Sequence, residues 1–365
     1  MQRVHGAVRE PGSYQALQHF ITHSRWDAEA LWKRLRKECP ERRGVVLVDD
    51  TGIPKKGSHS PGVQRQYSGT LGKVGNCQIV VSTILRAGNF SWTLGMDLYL
   101  PESWTKSPSR LRSAGIPEET PFRAKPAIAL AQIRVAQKAG FRIDAVVADL
   151  GFGKASEFRV ALNRAKIPFV LGVTNTVLVR AARKDADRQQ AEALASALPR
   201  SAWKRITWRI GTKGPLRADF AAVRVRPAGA DAENVEYWLL CERRNREKQP
   251  KYFLSSLPRK TPLKTLVGVA HTRWAIEQNY QQLKEELGFD HFEGRTWNGW
   301  AHHAVLTAAT YCFLELERRA DDRQNLSLPK VRELVAEILV IEIMMERPDL
   351  QAALEERKRA RGPPS

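Results

Sequence analysis

The sequence predicts an α/β fold: a mixed sheet flanked by helices, interrupted by a mostly antiparallel β insertion, with C-terminal helices. Three observations carry this. Short apolar runs (GVVLVDD, DAVVADLGFG, FVLGV) alternate with helical periodicity in the first half, and a short continuous apolar run suits a strand buried on both faces. Four segments then follow in series, WKRITWRI, LRADFAAVRVRP, VEYWLLCERR and KYFLSSL, whose alternation reads as antiparallel strands. Helical periodicity returns in GWAHHAVLTAATYCFLELERR and KVRELVAEILVIEIM.

In chain order, residues 14–38 carry helical periodicity with aromatics on one face, and Ser24 and Asp27 are candidate caps for a second helix. GVVLVDD is a strand ending in two carboxylates. The stretch TGIPKKGSHSPGVQRQYSGTLGKVGN, rich in Gly, Pro, Ser and Lys, reads as a long loop. CQIVVSTILR and FSWTLGMDLYL, split by Gly-Asn, predict an antiparallel pair. After a Pro/Ser-rich loop at 102–123 come a helix (AKPAIALAQIRVAQKAG), a strand ending at Asp149, a helix (ASEFRVALNRAK) and a strand (FVLGV). The order so far is β-β-β-α-β-α-β, a mixed sheet with helices on its faces. RAARKDADRQQAEALASAL reads as a polar, basic helix opening the insertion. The expected organisation is an N-terminal helical segment at 1–43, a core at 44–175 and 261–320, a β-rich insertion at 176–260, and a C-terminal helix with a basic tail at 321–365.

The chain has 365 residues with 59 Lys+Arg against 39 Asp+Glu, a net charge of +20. This is too basic for a typical metabolic enzyme and implies a polyanionic partner, with nucleic acid ahead of an anionic membrane surface. No apolar run reaches membrane-spanning length, and the N-terminus lacks a secretory hydrophobic region. The sequence therefore predicts no membrane partner. Cys39, Cys77, Cys241 and Cys312 form no CxxC pair, and His302 and His303 are adjacent without an HExxH. Zinc-finger spacing is absent, and scattered thiols suit a reducing cytosol.

Asp50 ends the first strand, Asp149 ends a later one, and Glu277 lies in HTRWAIEQNYQQLKEELGFDHFEGRTW. Strands ending at one edge of a sheet bring their terminal side chains together, the usual place for a site in an open α/β sheet. Asp49 points to the other side of its strand and reads as structural. In the later segment Arg273, Glu277 and Lys284 share one helix face, since four residues advance about 40° and eleven about 20°. A solvated charge stripe has the same spacing. Three carboxylates without His or Cys suit Mg²⁺ or Mn²⁺, and two such ions about 3.5–4 Å apart support phosphoryl transfer.

These residues resemble the DDE transposases of bacterial insertion sequences, within the cut-and-paste group that carries a Tyr-x2-Arg-x3-Glu-x6-Lys signature. Arg273, Glu277 and Lys284 match its last three positions, while Ala270 stands where the tyrosine would be; His271 and Tyr280 are candidates to replace it. VLVDDTGIPKKGSHSPGVQRQYSGTLGKVGNCQ is similar to the first-aspartate block of one branch, with Asp50 followed by Thr51, and VVADLGFG is similar to the second. The similarity runs from about Tyr14 to about Arg319.

The resemblance implies an RNase H-like core and metal-dependent nicking and strand transfer on double-stranded DNA. It also implies a homodimer in the synaptic complex and a bacterial cytoplasmic location, at the nucleoid when DNA-bound. Arg273 and Lys284 would meet end phosphates, joined by Lys55, Lys56, Arg65 and Lys73 after the first aspartate. Arg295 and Trp297 form a second candidate contact, Trp297 by stacking on an unpaired base, while Trp300, Trp203, Trp208 and Trp238 read as packing residues. Relatives of this pattern carry a longer helical region before YQALQHFITHSRWD, so the alternatives are a truncated, transposition-incompetent DNA-binding remnant or inhibitor, and a non-mobile RNase H-like nuclease.

Overall fold

The computed structural model describes residues 14–182, 186–211, 214–228, 235–244, 250–320 and 326–346; the expected basic tail lies outside them. The chain divides into two compact units, residues 29–281 and residues 1–28 with 282–365.

The larger unit is built on one twelve-stranded sheet among the described residues. Its strands are β1 (Arg43–Pro54), β2 (Gln64–Ser68), β3 (Lys73–Ala87), β4 (Phe90–Tyr99), β5 (Arg142–Ala148), β6 (Phe169–Val173), β7 (Leu178–Ala181), β8 (Arg188–Gln190), β9 (Lys204–Gly211), β10 (Gly214–Pro227), β11 (Tyr237–Arg243) and β12 (Lys251–Ser255). The order is β2-β3-β1-β5-β6-β12-β11-β10-β7-β8, with β4 added to β3 and β9 to β10.

β1 is antiparallel to β3 and parallel to β5, which is parallel to β6. This is a mixed, RNase H-like arrangement flanked by helices, as the resemblance implies. Val46, Leu47, Val48, Val146, Phe169, Val170 and Leu171 have no exposed surface, which explains why these strands read as unbroken apolar runs. The helices Lys125–Lys138 and Ser156–Arg164 precede β5 and β6. The first buries Ile128, Ala129, Gln132, Ile133 and Ala136, one face at helical spacing.

Three local readings are corrected. The stretch after Asp50 is not one loop: β1 continues to Pro54, and Gln64–Ser68 pairs with the start of β3. QRQYS lacks an apolar run because β2 is an edge strand with alternate residues exposed, held by the backbone ladder to β3. Among the described residues, the expected helix at 180–198 is confined to Ala191–Ser196, and residues 183–185 of it lie outside them; Leu178–Ala181 and Arg188–Gln190 pair as strands, and β7 joins β10. Helix propensity is a weak prior that tertiary pairing overrides. Finally, the helix carrying Glu277 does not run unbroken from His271. One helix ends at His271, Thr272 and Arg273 form a turn, and a second runs from Trp274 to Glu285.

The insertion strands extend the core sheet, because β12 pairs with β6 through Tyr252↔Val173 to Ser255↔Val170.

In the smaller unit the helices Tyr14–Thr22, Trp297–Ala320 and Leu328–Glu346 are described. Trp26 stacks on His302 at 3.6 Å, and both His302 ring nitrogens stand 2.9 Å from backbone carbonyls, of Ile21 and Trp26. His302 and Trp300 are buried, so they belong to packing.

Candidate active site

The site grows where β5 ends beside the middle of β1. β1 and β5 run parallel with Val48 beside Ala148, so the residues that follow, Asp49 and Asp149, emerge at the same edge. Asp149 has extended backbone (φ −77°, ψ −173°), and its carboxylate accepts hydrogen bonds from the Gly151 and Phe152 N–H groups at 2.8 and 3.3 Å. It thus caps the turn Leu150–Gly153. Gly153 lets that turn lie on β6: a Cβ there would stand 1.9 Å from the Gly172 carbonyl oxygen. The glycines of DLGFG thereby fix Asp149 at the sheet edge.

Asp49 and Asp50 point to opposite sides of β1, as pleating requires. Asp50 accepts from Lys125 Nζ at 2.9 Å, at the start of the Lys125–Lys138 helix. Asp49 accepts from Arg273 at 2.9 Å, and its carbonyl accepts from the buried Tyr280 hydroxyl at 2.9 Å. Arg273 also donates to Glu277. Arg273, at the turn between two helices, therefore joins the β1 carboxylate Asp49 to Glu277.

Electrostatics couple Asp49, Asp50, Asp149, Arg273 and Tyr280. Burial, then the charge of Asp149, raises the Asp49 carboxyl from 3.8 to about 7 against the pull of Arg273. Burial also raises Asp149; Arg273 opposes it, and the charge of Asp50 adds to it. Burial and the nearby carboxylates raise the Tyr280 phenol well above its ordinary value. Asp149, Arg273 and Glu277 line a cleft of ≈ 600 Å³ whose wall includes Trp208, Arg209 and Lys251.

Asp149 thus lies within charge range of Asp50 and Arg273, and Glu277 is tied in through Arg273. Lys284 lies on the Trp274–Glu285 helix; burial lowers its ammonium and Asp290 opposes this. Lys56, Arg65 and Lys73 are exposed, whereas Lys55 is enclosed; Arg295 is exposed and Trp297 half-buried. Arg65 and Lys73 belong to β2 and β3. Ala270 is buried, the Tyr280 hydroxyl is committed to Asp49, and His271 stands 3.3 Å from the Glu242 carboxylate.

Two residues were missed as site members. Asp49 was read as structural, and the signal was its place in the Asp-Asp pair. Lys125 was not singled out. A cation in the first turn of a helix is electrostatically disfavoured, so a lysine there calls for an anion, which Asp50 provides. The donor chemistry, carboxylate oxygens only, fits a hard divalent ion. Among the described residues no three Asp, Glu, His or Cys side chains are grouped to hold one. Arg273 and Lys125 take the carboxylates instead.

Residues 1–215 match the family described as DDE superfamily endonuclease, and residues 122–313 match the transposase DDE domain. The chain is also 26% identical over 290 residues to a protein of Microchaete diplosiphon named as a probable transposase for insertion sequence element IS701, covering 76% of this chain and 68% of that relative. Transposases act on DNA, and DDE domains imply dependence on a divalent metal. Neither the remnant nor the non-mobile nuclease is favoured by these matches. Among the described residues no helix is long and apolar enough to cross a membrane. With carboxylates gathered where β5 ends beside β1 on an RNase H-like sheet and family matches along most of its length, the chain belongs to the DDE superfamily endonucleases and is a DNA transposase.

Proposed function

We propose that the chain cuts the ends of its own insertion sequence and joins them to target DNA, with Asp149, Glu277 and the β1 carboxylates Asp50 and Asp49 holding Mg²⁺, for which Mn²⁺ can substitute. The observation that carries this reading is the charge pattern where β5 ends beside Asp49 and Asp50 of β1. Carboxylates there are raised by burial and by one another, and cations of the chain sit on Asp49, Asp50 and Glu277. Such a cluster gains strongly from added positive charge, and its oxygen donors suit hard divalent ions. When bound, the ions supply activation of the attacking oxygen and neutralise the leaving one. The chain's own part is to orient the carboxylates: the Gly151 and Phe152 amides hold Asp149, Lys125 holds Asp50, and Arg273 holds Glu277.

On DNA binding, Arg273 keeps its place between Asp49 and Glu277 and faces an end phosphate, Lys284 meets another, and Lys55, Lys56, Arg65, Lys73 and Arg295 extend the phosphate contacts. Trp297 offers a ring face to an unpaired base. Residues 44–175 and 261–320 act as the catalytic core around the insertion at 176–260. The working form is a homodimer, since two ends must be joined, acting at the nucleoid in the bacterial cytoplasm.

Glu277→Gln tests the reading, because it keeps size and helix propensity while removing the anion. Cleavage of the element's own ends falls by several orders of magnitude, and DNA binding persists. Stability changes by only a few tenths of a kcal/mol, roughly the worth of an exposed i,i+4 pair. A purified Glu277→Gln protein that cuts ends at the parent rate removes Glu277 from the mechanism.

A further inference from the structure

Glu242 lies on β11, opposite Phe220 of β10, and its side chain has no exposed surface. A carboxylate in such a place is costly unless paired, and an apolar residue of similar size would be cheaper. It is paired twice, accepting from Arg244 and standing 3.3 Å from His271 Nε2. Burial pushes the Glu242 carboxyl up, but His271 and Arg244 together outweigh it and hold the group below its ordinary value. The His271 ring lies flat on Trp208 of β9, centroids 4.0 Å apart and planes 12° apart, and meets Phe220 edge-on at 5.7 Å. Three insertion strands therefore grip one imidazole. That imidazole belongs to the last residue of the Leu263–His271 helix, two positions before Arg273.

We propose that Glu242 is a positioning residue for the cleavage reaction: through His271 it fixes the Thr272–Arg273 turn, and so the placement of the Arg273 guanidinium between Asp49 and Glu277. This rests on the reading of Arg273 and Glu277 as working residues. It gives the insertion a role in aiming the site, carried by a buried carboxylate–imidazole contact rather than by contact with DNA. The guanidinium is reached through one turn only, so a small shift of His271 is passed directly to Arg273.

The experiment is a double-mutant cycle in end cleavage with the full chain. Glu242→Gln removes the charge at constant size, and His271→Phe removes the pair while keeping a ring on Trp208. Each should lower kcat by roughly tenfold to a hundredfold while KM for end DNA stays within about twofold, the pattern of a misplaced group rather than a lost contact. The double variant should be no worse than the more defective single, because both act through one link. Thermal unfolding identifies any variant that fails to fold, and His271→Phe with its ring retained carries the test if Glu242→Gln fails. A folded single variant cutting at the parent rate overturns the proposal, as do single defects that multiply in the double variant. Arg273→Ala and Glu277→Gln run alongside. If these cut normally, the reading of the site itself fails; if they are inactive while Glu242→Gln is normal, only the positioning role fails.

Discussion

Strands β1, β5 and β6 enclose their central side chains on both faces, whereas the residues of β9 and of the outer part of β10 are mostly exposed or half-buried, Ile210 to 74%. The core strands are held by apolar burial. The insertion strands are covered by cations on rings: Arg243 over Trp203 at 3.8 Å, Arg224 over Trp238 at 5.0 Å and Arg209 over Trp274 at 3.6 Å. Each such contact is worth about 0.5–1 kcal/mol at an exposed site, well below the worth of a fully buried aliphatic side chain. Acidic residues divide in the same way. Asp149 of the core edge is raised by burial and near other carboxylates, whereas Asp219 of the insertion is lowered, first by its hydrogen bonds from Arg205, at 2.8 and 2.9 Å. One sheet therefore holds a region where charge is under strain and one where it is satisfied, and the strained region is where chemistry is expected.

The sharpest way to break this comparison is to remove one charge from each region. Asp149→Asn should lower end cleavage by several orders of magnitude, while Asp219→Asn, which breaks an exposed, solvent-screened pair, should leave it intact. Equal effects in a cleavage assay would end the distinction.

Packing offers the next contrast. Leu47→Ala in β1 removes a side chain with no exposed surface and should cost about 2–5 kcal/mol in denaturant unfolding. Ile210→Ala in β9 should stay within about 0.5 kcal/mol.

A smaller effect lies in pH dependence. Asp49 stands at about 7 folded against 3.8 for the free group. Because the folded value is the higher, its contribution to stability is fully present below 3.8 and is lost as pH rises through about 7. Stability should therefore fall across that window, with a slope of at most about 1.4 kcal/mol per pH unit for one proton. Asp149 is shifted in the same direction. Asp49→Asn should flatten the unfolding profile between pH 4 and 7, and an unchanged slope would show that Asp49 is not buried with its neighbours as described.

Much of the core was legible because its signals are local. Apolar runs such as VVLV and AVVA are what parallel strands buried on both faces require, and the Gly-Asn break marks the β3–β4 turn, where Gly88 has φ 56°. β2 was not legible, since QRQYS has no pattern of its own and becomes a strand only against β3. β7 and β8 were hidden for a related reason: their helix-forming composition is overridden by pairing with each other and with β10.

For the site, Asp50, Asp149, Arg273 and Glu277 could be singled out as candidates from sequence because residue type, order and spacing are properties of the chain itself. Opposite faces for Asp49 and Asp50 also followed from pleating alone. Which neighbours each face meets did not. That depends on where Lys125, Arg273 and Tyr280 arrive, 75, 224 and 231 positions along the chain from their partners. The same holds for Glu242 and His271, which no spacing rule connects. The sequence by itself determined the apolar strands of the core and the carboxylates on and after them, because propensity and burial pattern act within a few residues. Only the tertiary structure decided which cation neutralises which carboxylate and how the insertion grips the turn before Arg273, because Coulomb and packing forces act between residues that the fold alone makes neighbours.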